Sequence, residues 1–295
     1  MTFDLLVIGG ESSIGSAVTF AAEATGLNVA ATTRRERNVS QKRPWFDLED
    51  CEQGSLPKAR AVLVAAGRPG HECNQHPKDT RNVNVTAIIK LIERLANRTC
   101  RILFLSTNQV FDGKKPLVMA GELPCPVTEY GRQKAEVERV ILDLGEAGSV
   151  LRLTKVFESS SPILTRWLHG LRRGESVQAF DDMMCAPLPI ETVASAVLRI
   201  LFGGPGGIFQ LSAEMDVSWF DIARCFAEAN KYSRDMVRST SALAVLACEF
   251  VPTYTTLDGS RLKNLHGIHP PVAKEVILSI ANLNGADARN GVIPN

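Results

Sequence analysis

Short apolar runs alternate with longer amphipathic stretches through the first two-thirds of the chain, most regularly up to about residue 157. Runs of strand length occur at residues 5–8, 27–32, 61–65, 102–106 and 150–156, and helical patterns occur at 14–25, 83–96 and 130–144. Near-continuous Val, Ile and Leu runs are typical of strands buried on both faces of a parallel sheet. Because strands and helices alternate, the pattern predicts an α/β fold with a Rossmann-type doubly wound parallel sheet.

The regular alternation weakens after residue 157. Helical patterns at 163–173, 190–202 and 218–229 are separated by joints rich in Gly and Pro, such as residues 203–207. We interpret residues 1–157 as an NAD(P)-binding domain that receives a later return segment near 180–203. Residues 158–281 are then a smaller, mainly helical substrate-binding lobe interleaved with it, and residues 282–295 a loose tail. A lobe at the carboxyl edge of a parallel sheet forms the second wall of a cleft.

Composition excludes several classes of function. The 33 basic and 32 acidic residues give a net charge of +1, so no basic field is present to hold a nucleic acid or an acidic membrane surface. Seven cysteines without a C-x-x-C spacing predict reduced thiols, and no run approaches the length of a membrane span. We expect a cytoplasmic protein with no nucleic-acid or membrane partner. The histidines near residues 71–76 and 266–269 lack further ligands at suitable spacing, so we expect no metal site.

A glycine-containing turn follows the first apolar run directly and precedes the first helix. Glycines at this place allow a tight turn and close approach of the backbone to a pyrophosphate, and the helix N-terminus offers its N–H groups to the anion. The alternative is a plain strand–helix turn. The candidate cofactor-binding residues of the turn are Gly9, Gly10, Ser12, Ser13, Ile14 and Gly15.

The end of the second strand indicates which dinucleotide would bind. Arg34 and Arg35 stand where the adenosine ribose of a dinucleotide lies, and arginines favour the 2′-phosphate of NADP over the free hydroxyl of NAD. NADP is therefore the predicted cofactor, with a solvated basic loop as the alternative. Three small residues end a later strand and suit close passage of the dinucleotide. The further cofactor-binding candidates are Asp47 and Leu48, on the adenine side, and Ala65, Ala66 and Gly67.

Tyr130 and Lys134 place a phenol and an ammonium one helical turn apart, on one face of the helix. A tyrosine with a pKa of about 10 is a poor acid or base near neutrality, whereas an adjacent cation favours the phenolate. The pair therefore suggests proton transfer with a lowered tyrosine pKa. The alternative is an exposed pair on a solvated helix.

The glycine turn, the run from Ser106 to Gly113 and the Tyr130-x-x-x-Lys134 pair together resemble the extended short-chain dehydrogenase/reductases. Within them, the chain looks most like the dTDP-4-dehydrorhamnose reductases and their sugar-nucleotide relatives. The resemblance implies an NADP(H)-dependent reductase of a nucleotide-linked 4-keto sugar, with a homodimer possible. It makes Thr107 the hydroxyl that holds the substrate carbonyl, Tyr130 the proton donor, and Lys134 both the residue that lowers the tyrosine pKa and a nicotinamide-ribose ligand.

Further assignments, and some departures, accompany the resemblance. It places Ser106 against the cofactor, and Val110 and Phe111 against the substrate. Asn108 stands where the family usually has aspartate, and Ser12 stands where a glycine is commoner. Three large residues further along are interpreted as core, with contact to a sugar or base as the alternative: Trp167, Met183 and Met184. An epimerase or dehydratase of the same superfamily remains an alternative, as does a non-catalytic NADP-binding regulatory subunit similar to that of methionine adenosyltransferase.

Overall fold

The computed structural model describes residues 2–51, 55–96, 100–158, 161–245 and 250–287. Its centre is a six-stranded parallel sheet of order β2-β1-β3-β4-β5-β10, in which Val7 pairs with both Ala31 and Leu63. The strands are β1 Phe3–Ile8, β2 Val29–Ala31, β3 Ala59–Val64, β4 Arg101–Thr107, β5 Gly148–Leu153, β6 Val156–Phe157, β7 Val177–Phe180, β8 Met184–Cys185, β9 Leu188–Pro189, β10 Gly207–Leu211, β11 Val217–Ser218 and β12 Val237–Thr240.

Helices cover both faces of this sheet, which confirms the predicted doubly wound fold. Alternate residues of each strand point to opposite faces, so Leu6 and Ile8 join one apolar cluster, whereas Leu5 and Val7 join another. The helices are α1 Ser13–Ala24, α2 Gly70–Gln75, α3 Pro77–Arg81, α4 Ile88–Ala96, α5 Glu129–Leu142, α6 Pro162–Arg172, α7 Ile190–Phe202, α8 Trp219–Ala229, α9 Ala242–Val245, α10 Ser260–His266 and α11 Ala273–Asp287.

Two helices that matter for the site begin with side-chain caps. Ser12 accepts a hydrogen bond from the Gly15 N–H at the start of α1, and Thr128 accepts one from the Gly131 N–H at the start of α5. The stretch predicted as one helix over residues 83–96 instead starts as a π-helix at Asn82–Ala87 and becomes α-helical at Ile88. π-helical turns are frequent at functional sites.

A third apolar cluster forms the core of the smaller lobe. Its residues come from α6, β7, α8, β12 and α11. The chain then returns to the sheet, because α7 packs against α1 and β10 pairs with β5. The segment that rejoins the first domain therefore continues to Leu211. Helix α11 runs through Asp287, because its apolar residues, Val276, Ile277 and Ile280, pack into the lobe core. Residues 282–287 of the segment predicted as a loose tail thus belong to α11, and residues 288–295 lie outside the described part of the chain.

Some general features hold for the described residues alone. No helix there is both long and apolar enough to cross a membrane. Within the same ranges, no group of three or more His, Cys, Asp and Glu side chains is placed to hold a metal ion. Six of the seven cysteines lie in these ranges and form no disulfide there, and Cys248 falls outside the described ranges.

Candidate active site

Three cavities follow the carboxyl edge of the sheet, where open α/β folds bind ligands. One of about 640 Å³ lies over the ends of β1, β2 and β3 and takes in both the glycine turn and the arginine pair. The next, of about 300 Å³, is lined by Thr107, Tyr130 and Lys134. The third, of about 490 Å³, shares Thr107 and Tyr130 and extends between the sheet and the smaller lobe. The predicted acid/base residues therefore line the middle of one continuous edge.

The glycine turn is held by its own polar groups. Gly9 has a φ of +89°, and a Cβ there would lie 2.8 Å from the Ala66 backbone nitrogen, so a side chain is excluded on both grounds. The Ser12 hydroxyl donates to the Gly9 carbonyl oxygen at 2.8 Å and accepts the Gly15 N–H at 3.1 Å. Ser12 thus closes the turn locally, and Gly10 and Gly15 are buried beneath it.

Most of the remaining cofactor candidates line one of the three cavities. Residues of the turn, the arginine pair and the small-residue strand end line the cavity of about 640 Å³. Ser13 is different, because it lines the cavity of about 490 Å³ and its hydroxyl donates to the Glu158 carboxylate at 2.6 Å. The candidates around the larger cavity are Gly9, Ser12, Arg34, Arg35, Asp47, Leu48, Ala65, Ala66 and Gly67, and Ile14 lines the other two cavities.

Thr107 ends β4 and caps the tight turn that follows it. Its hydroxyl accepts the Gln109 N–H at 3.2 Å and lies 3.5 Å from the Asn108 side-chain oxygen. Thr107 is 7 % exposed and lines two of the cavities. A hydroxyl held by a fixed turn is a suitable donor to an oxyanion that forms beside it.

Helix α5 carries Tyr130 and Lys134 into the cavity of about 300 Å³. The Lys134 ammonium donates to the Leu105 carbonyl oxygen at 2.9 Å and lies 4.4 Å from the centre of the Phe104 ring and 5.6 Å from that of Tyr130. Lys134 is 7 % exposed. Lys134 is therefore buried and Tyr130 half-buried beside it, so the alternative of an exposed pair on a solvated helix is wrong.

The pKa values of this pair move in directions that the sequence did not predict. Burial, with a smaller contribution from the nearby Cys73 thiol, raises the pKa of Tyr130 to about 12. Burial lowers the pKa of Lys134 to about 8. The expected lowering of the tyrosine pKa is thus corrected, because burial disfavours the charged phenolate and raises the pKa instead. Near neutrality, Tyr130 keeps its proton.

A buried ion pair lies directly behind the site. The Arg152 guanidinium binds the Glu138 carboxylate through Nε and Nη2, with an Nη2–Oε2 distance of 2.7 Å, and the two side chains are 1 % and 2 % exposed. Ser106, a cofactor candidate, lines the cavity of about 300 Å³ but donates its hydroxyl to the same carboxylate. The pair therefore joins β4, β5 and α5 beneath the acid/base residues.

Glu138→Gln is expected to lower the free energy of unfolding by about 3–5 kcal/mol, because it leaves the buried Arg152 charge without its counter-ion. Chemical denaturation at pH 7 measures this. Glu136→Gln is the matched control on the same helix, since Glu136 pairs with Arg81 at the surface with 39 % of its side chain exposed. That change is expected to cost less than about 1 kcal/mol. Equal losses in the two variants would contradict the prediction.

Val110 and Phe111 do not reach the cavity. Both are buried, at 0 % and 3 % exposure, in a small apolar cluster with Val118, Ala135 and Leu257. The tight turn after Thr107 directs them into the protein beneath α5. Their assignment to the substrate is therefore corrected: they support the turn that carries Thr107.

Other residues line the cavity of about 490 Å³ and were missed or set aside by sequence reasoning. Met183 and Met184 line it although they were interpreted as core, whereas Trp167 is buried as predicted. Met184 belongs to β8, which pairs with β11, and the local sequence does not show which side chains of this segment face the cavity. Further lining residues are Asn108, Gln109, Lys155, Glu158, Trp219 and Phe250.

Buried amides connect the catalytic helix to the cofactor side of the sheet. The Asn84 side chain accepts the Arg68 backbone N–H at 2.6 Å and donates to the Gln133 side-chain oxygen at 2.9 Å. Gln133 lies on α5 between Tyr130 and Lys134 and is fully buried. This network fixes the strand end after Gly67 relative to α5.

Comparison with known proteins identifies the family. The RmlD substrate binding domain model matches residues 3–283. The dTDP-4-keto-6-deoxy-D-glucose reductase of Streptomyces niveus is 26 % identical over 263 residues, which cover 87 % of this chain and 89 % of that one. Methionine adenosyltransferase 2 subunit beta of Bos taurus is 24 % identical and covers 69 % of this chain and 64 % of its own.

A solved structure shows the same fold. The dTDP-4-dehydrorhamnose reductase from Bacillus anthracis str. Ames, in complex with NADP, superposes with a TM-score of 0.80 at 14 % identity and covers 95 % of this chain and 98 % of its own. The agreement extends over both lobes. Since the family model spans nearly the whole chain, the protein belongs to the RmlD substrate binding domain family and is an oxidoreductase of the NAD(P)-dependent short-chain dehydrogenase/reductase type.

Proposed function

We propose that the protein reduces a nucleotide-linked 4-keto sugar with NADPH, with Thr107, Tyr130 and Lys134 as the reacting set. The observation that carries the proposal is the convergence of these three residues on one cavity. That cavity adjoins the glycine turn on one side and, on the other, an open cavity of about 490 Å³. The S. niveus relative is named as a reductase of a dTDP-linked keto sugar, which supports this substrate class.

NADP is the proposed cofactor, and the residues around the cavity of about 640 Å³ fit it. Arg34 and Arg35 line that cavity beside the end of β2, where they suit a 2′-phosphate. Small residues at Ala65–Gly67 leave room for the backbone to lie against a dinucleotide. When bound, the nicotinamide supplies the hydride, and the protein supplies orientation and protons.

The protonation states of the site residues suit the reduction of a ketone. Hydride addition to a ketone builds negative charge on its oxygen, which hydroxyl donors stabilise as the charge develops. Tyr130 holds its proton near neutrality because burial raises its pKa to about 12. It is therefore available as the donor, while Thr107 holds the carbonyl and Lys134, fixed to the Leu105 carbonyl oxygen, keeps a cation beside the phenol.

A panel of keto sugar nucleotides assayed with NADPH and with NADH tests the proposal. We expect consumption of reduced cofactor with at least one 4-keto substrate and faster turnover with NADPH. An epimerase or dehydratase regenerates its cofactor and would convert the sugar nucleotide without net NADPH consumption. Absence of turnover with every substrate of the panel would contradict the proposed reaction.

Thr107→Val is expected to lower kcat/KM for the keto substrate about 10²- to 10³-fold, because it removes a donor to the developing oxyanion. NADPH affinity is expected to change little. Thr107→Ser keeps the hydroxyl and is the matched control, with most of the activity retained. Because Thr107 also caps the following turn, melting temperatures accompany the kinetics. Equal losses of activity in the two variants would exclude an oxyanion role for the hydroxyl.

A non-catalytic NADP-binding regulatory subunit is the second candidate. The match to methionine adenosyltransferase 2 subunit beta supports it, since that relative is named as a subunit of another enzyme. Such a protein would bind NADPH, turn over no keto sugar, and change the activity of a partner enzyme. Purification from its own source, followed by analysis of the proteins that co-elute, distinguishes the two candidates.

A further inference from the structure

Glu11 places a carboxylate in the same cavity as the arginine pair. It belongs to the glycine turn and lines the cavity of about 640 Å³ together with Thr33, Arg34 and Arg35. Its Oε1 atom accepts hydrogen bonds from the Thr33 hydroxyl at 2.7 Å and from the Asn38 amide at 3.3 Å, and it lies 3.5 Å from Arg35 Nε. The carboxylate is therefore held in place and is not a freely rotating surface group.

This carboxylate already neutralises part of the charge that a 2′-phosphate would need. The Arg35 side chain is 61 % exposed, whereas that of Glu11 is only 25 % exposed. Hydrogen bonds from Thr33 and Asn38, together with the Arg35 charge, lower the pKa of Glu11, so the group stays ionised at neutral pH. A phosphate bound beside Arg35 would compete with Glu11 for the guanidinium and would also be repelled by it.

The Glu11 carboxylate is a suitable hydrogen-bond acceptor for a free ribose hydroxyl. All three of the contacts described above fall on Oε1, and a carboxylate has about four lone-pair positions over its two oxygens. Acidic residues beside the adenosine ribose accept the 2′-hydroxyl of NAD in dinucleotide-binding folds, although they usually follow the second strand. In this chain arginines follow that strand, and the carboxylate comes from the glycine turn instead.

We infer that Glu11 is a specificity-determining residue that limits the preference for a 2′-phosphate and keeps NADH usable beside NADPH. This inference rests on the proposed function, because it assumes that the cavity of about 640 Å³ holds the adenosine end of the dinucleotide. Arg34 and Arg35 attract the phosphate, and Glu11 offsets part of that attraction. The balance between these charges sets the ratio of the two cofactor affinities.

Binding of cofactor fragments to the unmodified protein and to Glu11→Gln tests the inference without turnover. The probes are 2′,5′-ADP, which carries the 2′-phosphate, and 5′-ADP, which does not, each titrated by calorimetry. Glu11→Gln keeps the size of the side chain and removes its charge. It is expected to raise the affinity for 2′,5′-ADP about five- to tenfold. This is the effect expected from removing one like charge near a doubly charged phosphate at a partly exposed site. Affinity for 5′-ADP is expected to change less than about twofold or to weaken.

Glu36→Gln is the matched control, because Glu36 is an exposed acid of the loop that carries Arg34 and Arg35 and does not line the cavity. It removes the same net charge and is expected to alter 2′,5′-ADP binding less than about twofold. In an Arg35→Met background, the gain from Glu11→Gln should shrink, since part of it comes from releasing Arg35. Melting temperatures of all variants report on folding.

Two results would overturn the inference. If Glu11→Gln weakened 2′,5′-ADP, Glu11 would instead be orienting Arg35 for the phosphate. If both probes responded equally, Glu11 would not discriminate at the 2′ position. In either case full-length NADPH and NADH would still bind, so the proposed function would stand. If the unmodified protein bound neither dinucleotide nor either fragment, the proposed function and this inference would both fail.

Discussion

Replacement of Tyr130 by phenylalanine is expected to lower NADPH-dependent reduction of a keto sugar nucleotide by about 10²–10⁴-fold, the usual contribution of a positioned general acid. The change removes one oxygen from a ring that lines the cavity of about 300 Å³ and leaves the apolar contacts of the ring in place. NADPH affinity and melting temperature should therefore stay close to those of the unmodified protein. Steady-state kinetics, with cofactor binding measured separately, check this result.

Tyr232→Phe is the matched control for that experiment. Tyr232 packs against the core of the smaller lobe, far in sequence from α5, and loses the same hydroxyl. Full activity is expected for this variant. If Tyr130→Phe turned over normally, the proton would come from elsewhere and the proposed mechanism would be wrong.

Lys134→Met is expected to reduce activity about a hundredfold or more while making the protein more stable at neutral pH. The activity falls because a cation beside the phenol is lost. The stability rises because burial disfavours the ammonium, as the lowered pKa of about 8 shows. The gain is at most about 3 kcal/mol, and loss of the hydrogen bond to the Leu105 carbonyl oxygen reduces it.

The pH dependence of that gain follows from the direction of the shift. The pKa of Lys134 is about 8 in the folded protein and about 10.4 in an unfolded chain. Between these values the unfolded state binds more protons, so the stability of the unmodified protein rises with pH. The loss of stability caused by burying the Lys134 ammonium is fully present below about pH 8. The advantage of Lys134→Met should therefore shrink between pH 8 and 10.

Denaturant titrations at pH 7, 8, 9 and 10 measure this difference. Lys114→Met is the matched control, because the Lys114 side chain is 81 % exposed, and its effect on stability should not vary over this range. Above pH 10 the Tyr130 shift acts in the opposite direction: its pKa of about 12 lies above the unfolded value, so stability falls as pH rises further. A constant difference between Lys134→Met and the unmodified protein would show that Lys134 titrates normally.

The predictions that succeeded rest on local patterns. The apolar runs identified the strands because buried parallel strands are apolar on both faces, and the glycines between the first strand and the first helix identified the turn because a tight turn needs them. Tyr130 and Lys134 share a face because helical spacing places them there. The segment around residues 82–96 departs from a regular helix because the buried Asn84 bonds across to Arg68 and Gln133, which lie far away in sequence.

The predictions that failed concern burial and side-chain direction. Val110 and Phe111 follow Thr107 in the chain, but the turn points them into the core, whereas Met183 and Met184 line the cavity. The sign of the Tyr130 pKa shift depends on how completely the phenol and ammonium lose their water. Neither the direction of a side chain nor its loss of water can be predicted from the spacing of two residues.

The sequence by itself determined the strand–helix order, the glycine turn between the first strand and the first helix, and the residue types that could carry proton transfer. These follow from periodicity and from the short-range geometry of turns and helices, which act within a few residues. Only the tertiary structure decided which side chains meet at the carboxyl edge of the sheet, which are desolvated, and that Glu11 lies against Arg35. Packing decides these points, because contacts and electric fields between distant segments exist only once the sheet has brought those segments together.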